Sequence, residues 1–334
     1  MPDRVSVIMA TYNTRKEYLD DSIKSMLSQT YNNIELVIVC DGCEDEYSYI
    51  CSSFKDERIK VLLNDKNRGL PYSLNRAVKE SSGEFIARMD SDDISLPTRI
   101  EEELNYLKKN KLDICGTSAY LFGNENGKKR LVFNSVDDIM VQLLFRATLI
   151  HPTVIGKKSV FIDNKYDEKY KDAEDFELWS RLSNNYKIGI YDKCLLRYRV
   201  HGKQISVKKG NIQRDLSRKI IRKNTSYVTG EFNEGIFDCL WMLSGREKIT
   251  KTNYRRFSEL IDYVIKENSK YNNYSTRSLK RVFYNRFFEL LLKNKIIVGD
   301  FCSIKKIVKM YNLCDIVCFS LNKLWSHRPK GKDA

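Results

Sequence analysis

The densest chemistry in this 334-residue chain is the run Asp90-Ser91-Asp92-Asp93, three carboxylates within four residues. Like charges that close raise one another's pKa unless a cation stands between them. A divalent metal is the simplest such cation. Hard oxygen ligands suit Mg²⁺ or Mn²⁺, which typically share their coordination with substrate phosphates. The run directly follows the apolar stretch Phe85-Ile86-Ala87-Arg88-Met89, where a buried strand should leave its sheet. Taken alone, the same residues also fit a polar turn before a helix, with Asp93 or Ser95 as cap and Pro97 at the first helical position.

The elements that must position these acids are legible in the first 110 residues, where β-branched runs alternate with helical patterns. Val5 to Ala10, Glu35 to Cys40, Ile59 to Leu63 and Phe85 to Met89 read as strands. Tyr18 to Leu27 and Pro71 to Glu80 read as helices, the first with Leu19, Ile23, Met26 and Leu27 on one face. Repeated βα units predict an α/β fold, a mostly parallel sheet flanked by helices. Such sheets bind ligands beyond the carboxyl ends of their strands. Thr11-Tyr12-Asn13, Asp41-Gly42 and Asp90-Ser91-Asp92 each follow a strand, so all three project onto one edge.

From Leu112 to about Arg199 the pattern is mixed, with strands expected at Ile114 to Phe122 and Lys187 to Ile190 and a helix at Ala173 to Leu182. Residues 211–334 then hold 25 Lys and Arg against 12 Asp and Glu, nearly all of the chain's net charge of +14. This basic part reads as helical. Leu279, Val282, Phe283, Phe287, Leu290 and Leu291 make one stripe, and Ile304, Ile307, Val308 and Tyr311 another. Apolar stripes rimmed by Lys and Arg suit either an anionic membrane surface or packing with a solvated basic face. No run of about 18 apolar residues predicts a transmembrane helix. The N-terminus lacks the apolar stretch of an export signal, and nine scattered cysteines read as reduced thiols. The expectation is a cytoplasmic protein, with peripheral attachment to the inner face of the membrane as an open alternative.

Taken together, these motifs resemble family 2 glycosyltransferases, the inverting group with the GT-A fold. The likeness covers roughly residues 4–206 and rests on Val7-Ile8-Met9-Ala10-Thr11-Tyr12-Asn13, Asp41-Gly42, Asn67-Arg68-Gly69 with Asn75, and Met89 to Asp93. It continues through Ala173-Glu174-Asp175-Phe176-Glu177-Leu178-Trp179 and Tyr198-Arg199-Val200-His201. Cys40 departs from the pattern, since the family commonly has a second acid there. The likeness divides the chain into a catalytic domain at 1–206, with a nucleotide-sugar half to about 110 and an acceptor half beyond it, and a basic helical region at 207–334.

The resemblance implies a role for each matching residue. Thr11, Tyr12 and Asn13 would wall the nucleotide pocket, and Asp41 would accept a hydrogen bond from the base, which favours uracil. Arg68 would reach the base or the phosphates. Asp90 would face the ribose or share the metal through water, with Ser91 beside it. Asp92 and His201 would ligate Mn²⁺ or Mg²⁺. Asp175 would be the general base that takes the acceptor hydroxyl's proton, with Glu174 orienting the acceptor. His151 and Trp179 would line the acceptor side, although Trp179 also fits a core position. The expected partners are a UDP-sugar and a glycan or lipid-linked oligosaccharide of bacterial surface polysaccharide synthesis. Two competing functions stay open at this point. A metal-dependent nucleotidyltransferase would also use a parallel-sheet edge, but it would want a Gly-rich phosphate loop where Thr11-Tyr12-Asn13-Thr14 stands. A nucleic-acid-binding protein would use the basic tail, against the repulsion of the acidic edge.

Overall fold

The computed structural model describes residues 3–129, 131, 135–201 and 210–294. Its sheet has nine strands among them: β1 Val5–Thr11, β2 Ile34–Cys40, β3 Ile59–Leu63, β4 Phe85–Asp90, β5 Ile94–Ser95, β6 Ile114–Gly123, β7 Gly127–Lys129, β8 Ile155–Lys157 and β9 Ile188–Val200. The order is β3-β2-β1-β4-β8-β6-β9-β5, with β7 on β6. The first four strands are parallel. β8 joins β4 to β6 in antiparallel fashion, and β9 runs parallel to β6.

β2 is buried along its whole length and β1 along nearly all of it, as expected where helices cover both faces of a parallel sheet. The two-residue period sorts the side chains. Val5, Val7, Met9, Leu36, Ile38, Ala87 and Met89 meet α1 (Lys16–Leu27) and α4 (Arg99–Lys109) through Leu19, Ile23, Met26, Ile100 and Leu104. Ile8, Val37, Val39 and Ile86 meet the other layer. That layer contains α3 (Leu70–Glu80), α5 (Val136–Leu143), α6 (Lys158–Asp163) and α7 (Glu174–Leu182). Arg88 and Asp90 follow Ile86 at the same period, so they share the second face. A further helix, α2 (Glu44–Ser53), buries only Ile50 and has no apolar stripe to announce it.

β9 extends well past the expected Ile190. Its pairing with β6 shifts register around Ser118 and then runs on to Val200, which brings the end of β9 to the end of β4.

The described residues form two compact units, one up to residue 232 and one from residue 233. Helix α8 (Gly210–Thr229) belongs to the first, beyond the boundary expected at 206, because Asn224 Nδ2 donates to the Leu144 carbonyl at 2.9 Å. The second unit contains α9 (Glu234–Leu243), α10 (Tyr254–Tyr271) and α11 (Thr276–Lys293). There Phe257 and Phe287 meet edge to face at 4.9 Å, and the stripe from Leu279 to Leu291 is buried. The stripe from Ile304 to Tyr311 lies outside the described residues. Among those residues no helix is long and apolar enough to cross a membrane.

Candidate active site

The carboxyl ends of β1 and β4 open onto a cleft of about 960 Å³. Asp90, Ser91, Asp92 and His201 line one part of it, and Glu174, Asp175 and His151 another. Carboxylate oxygens of Asp90, Asp92 and Asp93 lie within 4.8 Å of one another. His201 Nε2 is 2.9 Å from Asp92 Oδ2. Asp93 turns inward and is fully buried. Its Oδ1 accepts from the Arg199 backbone N–H at 2.8 Å, and its Oδ2 has no hydrogen-bond partner among the described residues. Burial, followed by the charges of Asp90 and Asp92, pushes the Asp93 carboxyl well above its usual range. Burial and Asp92 also raise Asp90, against the opposing pull of Arg88.

An orphaned buried oxygen beside mutually repelling carboxylates is the electrostatic situation that a divalent cation relieves. Asp90, Asp92 and Asp93 are spaced to fit such an ion, and His201 stands beside Asp92.

Arg199 fixes this loop. Its Nε donates to the Asp92 carbonyl at 2.7 Å, and its guanidinium lies 3.9 Å from the Tyr18 ring centre and 4.4 Å from that of Phe122.

The donor wall divides into parts that face the cleft and parts that support it. Tyr12 is 53% exposed and lines the cleft with Asn13 and Ser91. Ser91 Oγ is 2.8 Å from Thr14 Oγ1. Thr11 is buried beneath them, donating to Glu46 Oε2 at 3.2 Å, with its Oγ1 3.0 Å from Thr14 Oγ1. Glu46 also accepts from the Thr14 backbone N–H, tying α2 to the β1 loop. No motif pointed to this residue.

Asp41 and Arg68 correct an expectation, since neither side chain lines the cleft. Asp41 is buried, and both its oxygens are taken. Oδ1 accepts from Asn64 Nδ2 at 2.7 Å and the Arg68 N–H at 2.8 Å, and Oδ2 accepts from the Gly69 N–H at 2.8 Å. Asp41 therefore anchors the loop from Asn64 to Gly69. Gly42, at φ 80°, lets that loop pass, because a Cβ there would collide with the Lys66–Asn67 backbone. The Arg68 guanidinium turns to Asp65, at 3.0 Å. Beside this loop lies a second hollow of about 680 Å³, lined by Asn13, Gly42, Cys43, Glu46, Asn64 and Asp65 among others.

Elsewhere along the cleft, Glu174 and Asp175 open α7. Asp175 Oδ1 accepts from the Phe176 N–H at 2.7 Å, and Glu174 Oε2 from the Asp172 N–H at 2.8 Å. Burial and then the neighbouring Asp175 charge push Glu174 up to about 7. Burial raises Asp175 as well, and Arg88 and Lys129 oppose that rise. His151 Nε2 lies 2.9 Å from the Tyr166 hydroxyl. Burial, then Arg88, holds its pKa well below normal, so it faces the cleft as a neutral imidazole.

Trp179 corrects a second expectation. It is 0% exposed in the core, edge-on to His151, Phe161 and Tyr166. No face is left for a sugar, and it supports His151 from behind.

The Glycosyl transferase family 2 model matches residues 6–167. An uncharacterized glycosyltransferase of Haemophilus influenzae is 36% identical over 242 residues, covering 67% of this chain and 73% of its own. The chain belongs to glycosyl transferase family 2. This glycosyltransferase is also 37% identical over 211 residues to the O-antigen biosynthesis glycosyltransferase WbnJ of Escherichia coli, covering 60% of the chain and 81% of WbnJ. Its fold matches the structure of S. aureus TarS 1-349 in complex with UDP-GlcNAc, with a TM-score of 0.60 and 16% identity over 87% of this chain and 88% of that one. The fold is GT-A.

Proposed function

We propose that this enzyme transfers a sugar, with inversion, from a UDP-sugar to a hydroxyl of a glycan acceptor, and that it needs Mn²⁺ or Mg²⁺. The observation that carries this reading is the pairing of Asp90, Asp92 and His201 with Glu174 and Asp175 in one cleft. Inversion requires a leaving-group site and a base on opposite sides of the anomeric carbon. Asp175 takes the acceptor hydroxyl's proton, the new carbon–oxygen bond forms, and the bond to the diphosphate breaks, releasing UDP. Glu174 orients the acceptor, and Asp90, Asp92 and His201 hold the ion, which when bound supplies positive charge to the departing diphosphate. Tyr12 and Asn13 wall the nucleotide. The base lies in the hollow beside Asn13 and Gly42, and Asp41 supports it through the loop it anchors.

The TarS structures with UDP and UDP-GlcNAc support a uridine donor. WbnJ, named for O-antigen biosynthesis, supports a surface polysaccharide intermediate as acceptor, carried on a lipid. The basic helical region would then meet the anionic membrane that holds that lipid.

The test is UDP release from a panel of UDP-sugars with Mn²⁺ and lipid-linked acceptor analogues. The expected result is release by the native protein, slowed by about 10²–10⁴ in Asp175→Asn. Undiminished release by Asp175→Asn would contradict it.

A further inference from the structure

A guanidinium is built into the wall of the cleft, and no motif of the sequence assigned it a role. Arg88 is 4% exposed yet lines the cleft. It lies on β4 two residues before Asp90, on the same face, and Asp90 is its ion-pair partner through Nη1. Its Nε is buried and makes no hydrogen bond among the described residues. A buried cationic donor left unmatched is expensive, and five N–H groups in a fixed fork suit oxygen acceptors.

The position of this fork matters. Its charge acts on Asp90 and Asp93 on the donor side, and on His151, Glu174 and Asp175 on the acceptor side. In an in-line displacement the reacting carbon lies between leaving group and base. The transferred sugar therefore occupies the space that Arg88 borders. The N–H groups of the fork suit the hydroxyl or amide oxygens of a sugar placed there.

Resting on the donor reading above, we propose that Arg88 contacts the transferred sugar, donating to its hydroxyl or amide oxygens and so selecting among donor sugars. A hydroxyl of the wrong configuration leaves the buried donor unmatched, which is a strong basis for discrimination.

The experiment is calorimetric titration of UDP, UDP-Glc, UDP-Gal, UDP-GlcNAc and UDP-GalNAc with Mn²⁺, into the native protein and Arg88→Lys. Lysine keeps the charge that Asp90 needs and loses the fork. The expectation is UDP affinity retained within about threefold, with the preference for the best UDP-sugar over its epimer reduced by about tenfold or more. An unchanged preference would overturn the proposal. So would an equal loss for UDP and every UDP-sugar, which would mean that Arg88 acts only through Asp90. Arg88→Gln, with a planar amide in place of the fork, is read the same way if the lysine variant is not folded. Failure of the native protein to bind any UDP-sugar would refute the donor reading itself, and this proposal with it.

Discussion

His201 Nε2 lies 2.9 Å from Asp92 Oδ2, across 109 residues of sequence. The two meet because β5, just after the acidic loop, pairs with the end of β9, and Arg199 bonds the Asp92 carbonyl and the Asp93 carboxylate. The contact joins the acidic loop to the end of β9.

Asp92→Ala should therefore abolish Mn²⁺-dependent UDP binding, and His201→Ala should weaken it by about ten- to a hundredfold, the range for lost ligands and their supports. Titration with and without chelator checks both. Unchanged UDP affinity in Asp92→Ala would mean that the ion, if bound, is held elsewhere.

Asp175→Asn should leave UDP-sugar affinity intact and lower kcat by about 10²–10⁴, the usual contribution of a general base. Paired binding and turnover measurements separate this from a folding defect, which would lower both.

The raised Glu174 carboxyl gives stability a pH dependence with a definite sign. A carboxyl at about 7 in the folded chain, and in the ordinary range when unfolded, holds its proton longer in the folded state. Its contribution is fully present below the unfolded pKa and lost as pH rises toward 7. The metal-free protein should therefore lose stability from pH 5 to pH 8. Glu174→Gln should flatten that slope, recovering on the order of 3 kcal/mol at most at pH 8. Urea midpoints across this range give the answer, and parallel slopes for the two proteins would contradict it. Catalysis runs the other way, since Asp175 must be ionised, and kcat should rise with pH.

Asp41→Ala removes the acceptor for Asn64 Nδ2 and the N–H groups of Arg68 and Gly69. Each stranded buried donor costs about 1–3 kcal/mol. The expected result is a clear fall in the urea midpoint. A change in UDP affinity with full stability would instead make Asp41 a direct base contact.

Much of this was legible in the sequence because strict alternation and helical stripes report burial directly. Strands β1 to β4 lay near their expected bounds, and the loops after β1, β2 and β4 reached one edge. The acids at 90, 92 and 175 and the histidine at 201 came together in one cleft. What was not legible depended on direction. Asp41 stands in the right loop, but its oxygens face the chain. Trp179 stands one turn after Asp175, on the core side of α7. Helix α2 buries one residue, so its Glu46 gave no signal. Arg88 stands in an otherwise apolar strand with no motif to single it out, and its place comes from the cleft it borders.

Titrating UDP into the native protein with Mn²⁺ and again with chelator reads the metal-dependent donor site itself. Binding that requires the ion is expected. Absence of UDP binding, or equal affinity with chelator present, would contradict it.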